Sequence, residues 1–543
     1  MNTAHRDRFV LDALPGSERL PRFLFDLPEL QYPRRLNAAA ELIDRAIVSG
    51  WAGRRALAFP GGAWSYGELW RAANRIAGVL VEDLQVRPGA RVLLRGVNGP
   101  MLVAQWLAVL KAGAIAVTTM PMLRAGELTQ ILDKARIGTC LCEDVLLQDL
   151  TAAAEACALR PRIVDFSFNG EDSGGELEHL MTAKADRFEA VATRAVDPAL
   201  IAFSSGTTGT PKATVHLHRD VMAVADCFPR SILETGPDDV FLCSAPMAFT
   251  FGLGGELVFP LRHGAASVLS PSGSPDRFLD AVETWRPSVV MTAPTAYRAM
   301  TARAAGSDLR FVRAFVSAGE HLPASTLQAW EGASGGTIIN GLGATEMLHI
   351  FLSSPAGRAP PGATGRAVPG YVAAVLDEGL EPVPPGTVGQ LAVCGPTGCR
   401  YLDDARQANY VASGWNLTGD RFVVDDEGWF WFQSRADDLI VSAGYNISGP
   451  EVEDAVMGHE AVLECAVVGA ADAARGRVVK AFVVLKAGFA GGPDLTGSIQ
   501  DLVKRRIAPY KYPRAIEFVE RLPRNASGKV QRFALRDPTP RDA

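Results

Sequence analysis

The sequence carries no strong excess of charge: 54 Lys and Arg stand against 60 Asp and Glu, a formal net charge of −6 over 543 residues. No long basic run is present, which argues against nucleic acid or an anionic membrane as a main partner. An uninterrupted apolar span of transmembrane length is also missing. The most apolar early stretch, Met101 to Val117, is broken by Gln105 and Lys111 and reads as a buried helix running into a strand. The first residues, Met1-Asn2-Thr3-Ala4-His5-Arg6-Asp7-Arg8, have no apolar centre of the kind a secretory signal needs. Cysteine is sparse, eight residues scattered singly apart from Cys140-Leu141-Cys142, whose alternation suits a strand. No CxxC pair and no Cys/His cluster has zinc spacing. That argues against structural zinc and fits a reducing, cytoplasmic setting.

What remains is an ordinary soluble composition, 48% hydrophobic and 21% charged, in a chain long enough for more than one domain. Residues 1 to about 60 are rich in Pro, Arg and Leu and read as an irregular lead-in with one helix. Ser65-Tyr66-Gly67-Glu68 has capping-box spacing, and Leu69, Ala73, Ile76 and Leu80 follow on one helical face. Arg91–Leu94 as strand, Met101–Leu110 as helix and Ala114–Val117 as strand predict a mostly parallel sheet covered by helices. The pattern returns from about 199 to 345, with Val289-Val290-Met291 and Phe315-Val316-Ser317 as further strands. From about 360 to 435, short Val-rich runs alternate with Pro-Gly turns, which predicts a small β subdomain. A helix beginning near Pro450 and strands at Ala466–Val468 and Ala481–Val484 follow.

The most chemically loaded stretch is Ser204-Ser205-Gly206-Thr207-Thr208-Gly209-Thr210-Pro211-Lys212, directly after the apolar run Ala199–Phe203. A buried strand running into a turn of hydroxyls, glycines and a lysine can aim N–H groups, hydroxyls and a cation at phosphate oxygens. It is not the G-x-x-x-x-G-K-[ST] loop, because Pro211 stands where that pattern needs its second glycine.

This loop resembles the phosphate-binding signature of the adenylate-forming superfamily: acyl-CoA synthetases, peptide-synthetase adenylation domains and luciferases. Four further stretches match family motifs in family order: Asn340-Gly341-Leu342-Gly343-Ala344-Thr345-Glu346, Thr418-Gly419-Asp420, Arg435-Ala436-Asp437-Asp438 with Gly444, and Pro523-Arg524-Asn525-Ala526-Ser527-Gly528-Lys529. The resemblance covers nearly the whole chain. It implies an α/β fold: a large N-terminal domain of parallel α/β subdomains with a small β subdomain, then a small, mobile α+β C-terminal domain. The implied domains are 1–436, binding AMP, and 437–543, carrying the catalytic lysine.

Joining a carboxylate to ATP brings two anions together, so the site must cancel repulsion and hold developing charge. By resemblance, Ser204, Ser205, Gly206, Thr207, Thr208, Gly209 and Lys212 hold phosphate. Thr345 lies near the α-phosphate and Glu346 binds Mg²⁺, a hard ion suited to oxygen ligands. Asp420 and Arg435 hold the ribose; Gly319, Glu320, Asn340 and Gly341 frame the adenine. Lys529 reaches the acyl carboxylate and bridging oxygens during adenylation. Asp437 is the hinge about which the C-terminal domain turns, and Gly444 then lets the pantetheine thiol pass close to backbone.

The acid pocket falls to the stretches Ala248–Gly254 and Gly343–Phe351, with Phe249, Phe251, Gly252, Ser317, Gly343 and His349 as its named residues, a mixture of aromatic and small residues that suits a flat, compact, apolar acid. The run Thr345-Glu346-Met347-Leu348-His349-Ile350-Phe351 resembles benzoate-type CoA ligases, while Leu27–Pro33 and Arg35-Leu36-Asn37 look closer to the 2-aminobenzoate (anthranilate) branch. Phe249 stands where many members have histidine. The implied function is an ATP-dependent aryl-CoA ligase, most closely an anthranilate-CoA ligase, using ATP, Mg²⁺ and coenzyme A. Benzoate-CoA ligase, and a stand-alone enzyme loading an aryl acid onto a carrier protein, are the alternatives. A homodimer or a downstream acyl-transfer or carrier protein is left open as partner. A binding homologue without catalysis is disfavoured by the intact Glu346, Asp420 and Lys529.

Overall fold

The computed structural model describes residues 3–170, 175–204, 211–270, 274–435, 440–442, 445–472, 476–524 and 528–536. Two large, mostly parallel sheets dominate it. The first runs Arg162–Phe166, Thr139–Glu143, Arg91–Arg95, Ile115–Thr119, Pro198–Ser204 and Lys212–Leu217 in spatial order, and only the last strand is antiparallel to its neighbour. The second has a parallel centre of Arg55–Phe59, Ala266–Val268, Val240–Cys243, Val289–Thr292, Ala314–Ser317 and Ile338–Gly343. Antiparallel strands flank it, Gly62–Ser65 on one edge and Ile350–Ser353 with Arg366–Ala367 on the other. In open parallel sheets the carboxyl ends of strands are where loops gather to bind. Ser204 and Ser317 sit at such ends, and Asn340 lies near another.

Local sequence explains the covering helices. Ser65 caps Tyr66–Gly78: the Glu68 N–H donates to Ser65 Oγ at 3.2 Å and the Ser65 N–H to Glu68 Oε2 at 2.7 Å. Such a cap is worth about 1 kcal/mol. Leu69, Ala73 and Ile76 then face the core, as does Leu80 in the turn that follows. Helix Pro100–Lys111 is buried along its whole length, Lys111 included. An unpaired ammonium there would cost several kcal/mol, and it forms an ion pair with Asp44.

The lead-in is more ordered than its composition suggests. Besides Phe9–Asp12, a helical stretch takes in Ala40–Asp44 and Arg45–Val48, and Arg55–Phe59 joins the second sheet. Ala38, Ala39, Leu42, Ile43 and Ala46 give this stretch its apolar face. The Pro and Arg residues around them dilute the periodic signal.

The predicted β subdomain is an antiparallel sheet of Val372–Leu376, Gly389–Cys394, Trp415–Val424, Val411–Ala412 and Phe430–Arg435. Beyond it, helices Gly449–Met457 and Pro493–Arg506 pack on strands Val462–Asp472, Gly476–Leu485 and Ala515–Phe518. Their core, built on Ile440, Val452, Val467, Ala481 and Ile499, draws every fully buried member from residue 440 onward. This is the small C-terminal domain, with a hydrophobic centre of its own.

Candidate active site

The candidate phosphate loop closes a hairpin. Strand Pro198–Ser204 leads into it, strand Lys212–Leu217 leaves it, and Ser204 and Lys212 face each other across the pair. Ser205, Gly206, Thr207, Thr208 and Gly209 lie outside the described residues, as do Asp437 and Gly444. The Lys212 ammonium stands 5.3 Å from the centre of the Tyr401 ring, a cation–π contact. The Tyr401 hydroxyl donates to Glu346 Oε1. Burial, then the Glu346 charge, pushes the Tyr401 pKa far up, which keeps the phenol a donor. Glu346 belongs to the short 3₁₀ turn Thr345–Met347 and is 8% exposed. His216, on the hairpin's second strand, donates through Nε2 to the Thr345 carbonyl at 2.8 Å. The Thr345–Glu346 turn is therefore fixed from two directions.

This donor set suits a hard divalent ion. Among the described residues, no group of three or more His, Cys, Asp and Glu side chains gathers as a metal cage. A single carboxylate beside a threonine hydroxyl is what Mg²⁺ asks of a protein when phosphates and water supply its other ligands. Glu346 would hold it.

On the facing side, Asp420 and Arg435 are directly opposite across two antiparallel strands, with Arg435 Nη1 donating to Asp420 Oδ1 at 2.8 Å. Asp420 is 5% exposed; burial raises its pKa, and Arg435 pulls it back. Lys529 approaches this pair from the C-terminal domain. Its Cε lies 3.9 Å from where a β-carbon on Gly319 would be, and Gly319 itself has φ +93°, a conformation that favours glycine. Lys529 is exposed as a residue, yet its ammonium end is desolvated in the cleft. That desolvation lowers its pKa below the ordinary lysine value, against the attraction of Glu320, Asp420 and Glu346 and helped by Arg435. Distant carboxylates and one lysine thus converge on a single cleft.

The third part is aromatic. His349 is 3% exposed, with ring centres of Phe259, Phe251 and Phe228 at 4.4, 5.7 and 5.9 Å. Burial lowers its pKa to about 3, so the ring is neutral near pH 7. Phe249 precedes the helical turn Thr250–Leu253 and is half-buried, as is Phe251. Gly252 is turned toward backbone: a β-carbon there would come within 2.2 Å of the Pro246 carbonyl oxygen. Ser317 is fully buried at its strand end. Gly341 and Gly343 pack against Ile350 and the His349 carbonyl, where a β-carbon would clash at 2.6 and 2.7 Å. Asn340, on the same strand, reaches the Ala363 carbonyl at 3.5 Å.

The pocket stretch read from sequence ends at Gly254; it left out Gly255 and Glu256 beside it, and Tyr401 and His216 were not singled out. Gly254 is pressed against the His349 ring and Gly255 against Met291, where a β-carbon would lie 2.4 and 2.8 Å from the nearest atoms. Glu256 beside them is fully buried, its acid form favoured by burial. The glycine density of Gly252-Leu253-Gly254-Gly255 was the available signal for Gly255. Tyr401 and His216 carried none, since each acts on a turn far away in sequence.

The family model described as AMP-binding enzyme matches residues 45–400, and that of the AMP-binding enzyme C-terminal domain matches 451–529. The chain is 36% identical to the benzoate–CoA ligase of Thauera aromatica over 94% of its own length and 97% of that protein's. It is 31% identical to the 3-hydroxybenzoate–CoA ligase of Aromatoleum sp. (strain CIB), over 92% and 97%. Among solved structures, the anthranilate CoA ligase AuaEII in complex with anthranoyl-AMP superposes with TM-score 0.88 at 31% identity, covering 94% of this chain and 98% of that one. A benzoate CoA ligase from Burkholderia xenovorans LB400 gives 0.84 at 33%, covering 92% and 100%. The cleft of carboxylates, lysine and aromatic rings therefore sits in a chain that belongs to the AMP-binding enzyme family.

Proposed function

We propose that this enzyme is an ATP-dependent aryl-CoA ligase with anthranilate as its acid. The carrying observation is the neutral His349 ring enclosed by Phe228, Phe251 and Phe259, beside the cleft that gathers Glu346, Asp420 and Lys529. A flat aromatic acid matches that apolar surround, and a neutral imidazole can share a hydrogen bond with an ortho amine. Benzoate is the second reading, favoured by the benzoate–CoA ligase relatives.

In this reading residues 1–436 bind AMP and residues from 437 carry Lys529. A carboxylate oxygen attacks the α-phosphorus, the bond to pyrophosphate breaks, and the Lys529 ammonium balances charge on the bridging oxygens. The CoA thiol then attacks the acyl carbon, loses its proton and expels AMP. Asp420 accepts from the ribose hydroxyls with Arg435 beside it. A Mg²⁺ held at Glu346 supplies charge compensation to the phosphates. The test is purified protein with ATP, Mg²⁺, CoA and a panel of acids, read by product mass. Anthranilate and benzoate should give thioesters while acetate and palmitate give almost none. Equal turnover of palmitate would remove the aromatic-pocket reading, and CoA inertness with a carrier protein active would redirect the acceptor.

A pH profile gives a second test. Lys529 acts as an ammonium whose pKa lies below the ordinary lysine value. Its contribution is therefore present at lower pH and is lost as pH rises through that lowered value. The kcat/KM for adenylation, which reports the free enzyme, should fall on an alkaline limb below about pH 10.4. Lys529→Arg should move that limb upward, because guanidinium stays charged. A limb unmoved by the substitution would assign the titration to another group.

A further inference from the structure

The loop that carries Lys529 is gripped from behind by charges that the proposed chemistry does not use. Arg524 Nη1 donates to the carbonyl of Gly528, the residue before Lys529, at 2.6 Å. The backbone of Arg524 also bridges that of Val530, the residue after it. Arg524 Nη2 donates to Glu464 Oε2 at 2.8 Å. The other oxygen of Glu464 faces Arg298 Nη2 at 3.5 Å. Arg298 belongs to helix Pro294–Ala304 of the large domain, and its Nη1 also reaches Met457 Sδ at 3.3 Å. One carboxylate thus joins a guanidinium of each domain, and the C-terminal guanidinium holds the peptide next to Lys529.

We propose that Arg298, Glu464 and Arg524 form an ionic dock that seats the Lys529 loop against the large domain. They are positioning residues for adenylate formation and have no part in thioester formation. The proposal rests on the assignment of Lys529 to the first step. The geometry supports it because the chain of contacts ends on the large domain at Arg298 and on the Lys529 loop at Gly528. Removing Arg298 leaves each domain's own core intact, since its partners Glu464 and Met457 both lie across the interface.

The expected size follows from exposure. The three side chains are 24%, 25% and 27% exposed, and Glu464 and Arg524 line an open cleft of about 740 Å³ where water screens them. Such pairs change equilibria by modest factors. Arg298→Ala should slow pyrophosphate exchange with benzoate by about two- to fivefold, while thioester formation from preformed benzoyl adenylate and CoA keeps its wild-type rate. Arg298→Lys should recover part of the loss. The double variant Arg298→Ala/Glu464→Gln should be slowed by less than the product of the two single effects, because both remove the Arg298–Glu464 contact. Hydrogen exchange in peptide 528–536 of the unliganded protein should quicken in Arg298→Ala. Equal slowing of both half-reactions, or unchanged exchange chemistry and unchanged hydrogen exchange, would overturn the dock. Quickened hydrogen exchange in a protein whose wild type adenylates no aryl acid would uphold the dock and overturn the proposed activity.

Discussion

Lys529→Ala is expected to slow acyl-adenylate formation by about 10² to 10⁴, or about 3–5 kcal/mol of transition-state stabilisation. The reason is placement. A unit charge 4 Å from an oxyanion contributes about 4 kcal/mol at an effective dielectric of 20. The ammonium end of Lys529 lies in a desolvated cleft among Glu320, Asp420 and Glu346. The carboxylates raise its pKa, yet desolvation still lowers it overall, so the site holds the charge at a cost that an anionic substrate relieves. The conversion of preformed adenylate to thioester should change far less, because the turning of the C-terminal domain that the family resemblance implies would withdraw Lys529 before CoA attacks. Pyrophosphate exchange reads the first half, and thioester release from synthetic adenylate reads the second. Equal slowing of both halves would mean that Lys529 supports the fold or the nucleotide site generally.

The parts of this site that were legible in sequence are those in which chemistry is packed into consecutive residues. Thr345-Glu346, in a 3₁₀ turn, and Thr418-Gly419-Asp420, within strand Trp415–Val424, each hold their functional groups within two or three consecutive residues, and the structure brings Glu346 and Asp420 to the same lysine. The Ser65–Glu68 capping box was legible for the same reason, its two hydrogen bonds being local. Side chains that work at a distance were invisible. Tyr401 reaches Glu346 from the β subdomain side of the chain, and nothing in Cys399-Arg400-Tyr401 announces a partner 55 residues earlier. Arg298 reads as one more exposed helix arginine until the C-terminal domain is set against it. The one helix expected in the lead-in is present at 40–48, where Leu42, Ile43 and Ala46 pack into the core, but composition alone did not place it. Glycine marked close approach correctly without saying to what: Gly252 meets backbone, while Gly254 meets the His349 ring.

Glu346→Gln should reduce adenylation by about 10²-fold at ordinary Mg²⁺, with part of the rate recovered as Mg²⁺ is raised. The substitution preserves size and can still accept the Tyr401 hydroxyl, so the turn Thr345–Met347 keeps its anchor there and its second anchor from His216 to the Thr345 carbonyl. What is lost is the negative charge, and hard cations bind carboxylates far better than amides. A weakened site shifts the Mg²⁺ dependence to higher concentration, whereas a misfolded turn would lower the rate at every concentration. Tyr401→Phe separates the two effects: it keeps the ring beneath the Lys212 ammonium and removes only the hydroxyl that orients Glu346. It should lose about fivefold, in keeping with one hydrogen bond of about 1 kcal/mol, at nearly unchanged Mg²⁺ dependence. Adenylation rates measured across a Mg²⁺ titration for the wild type and both variants decide the matter. A Glu346→Gln enzyme with wild-type rate and wild-type Mg²⁺ dependence would show that this carboxylate holds no metal.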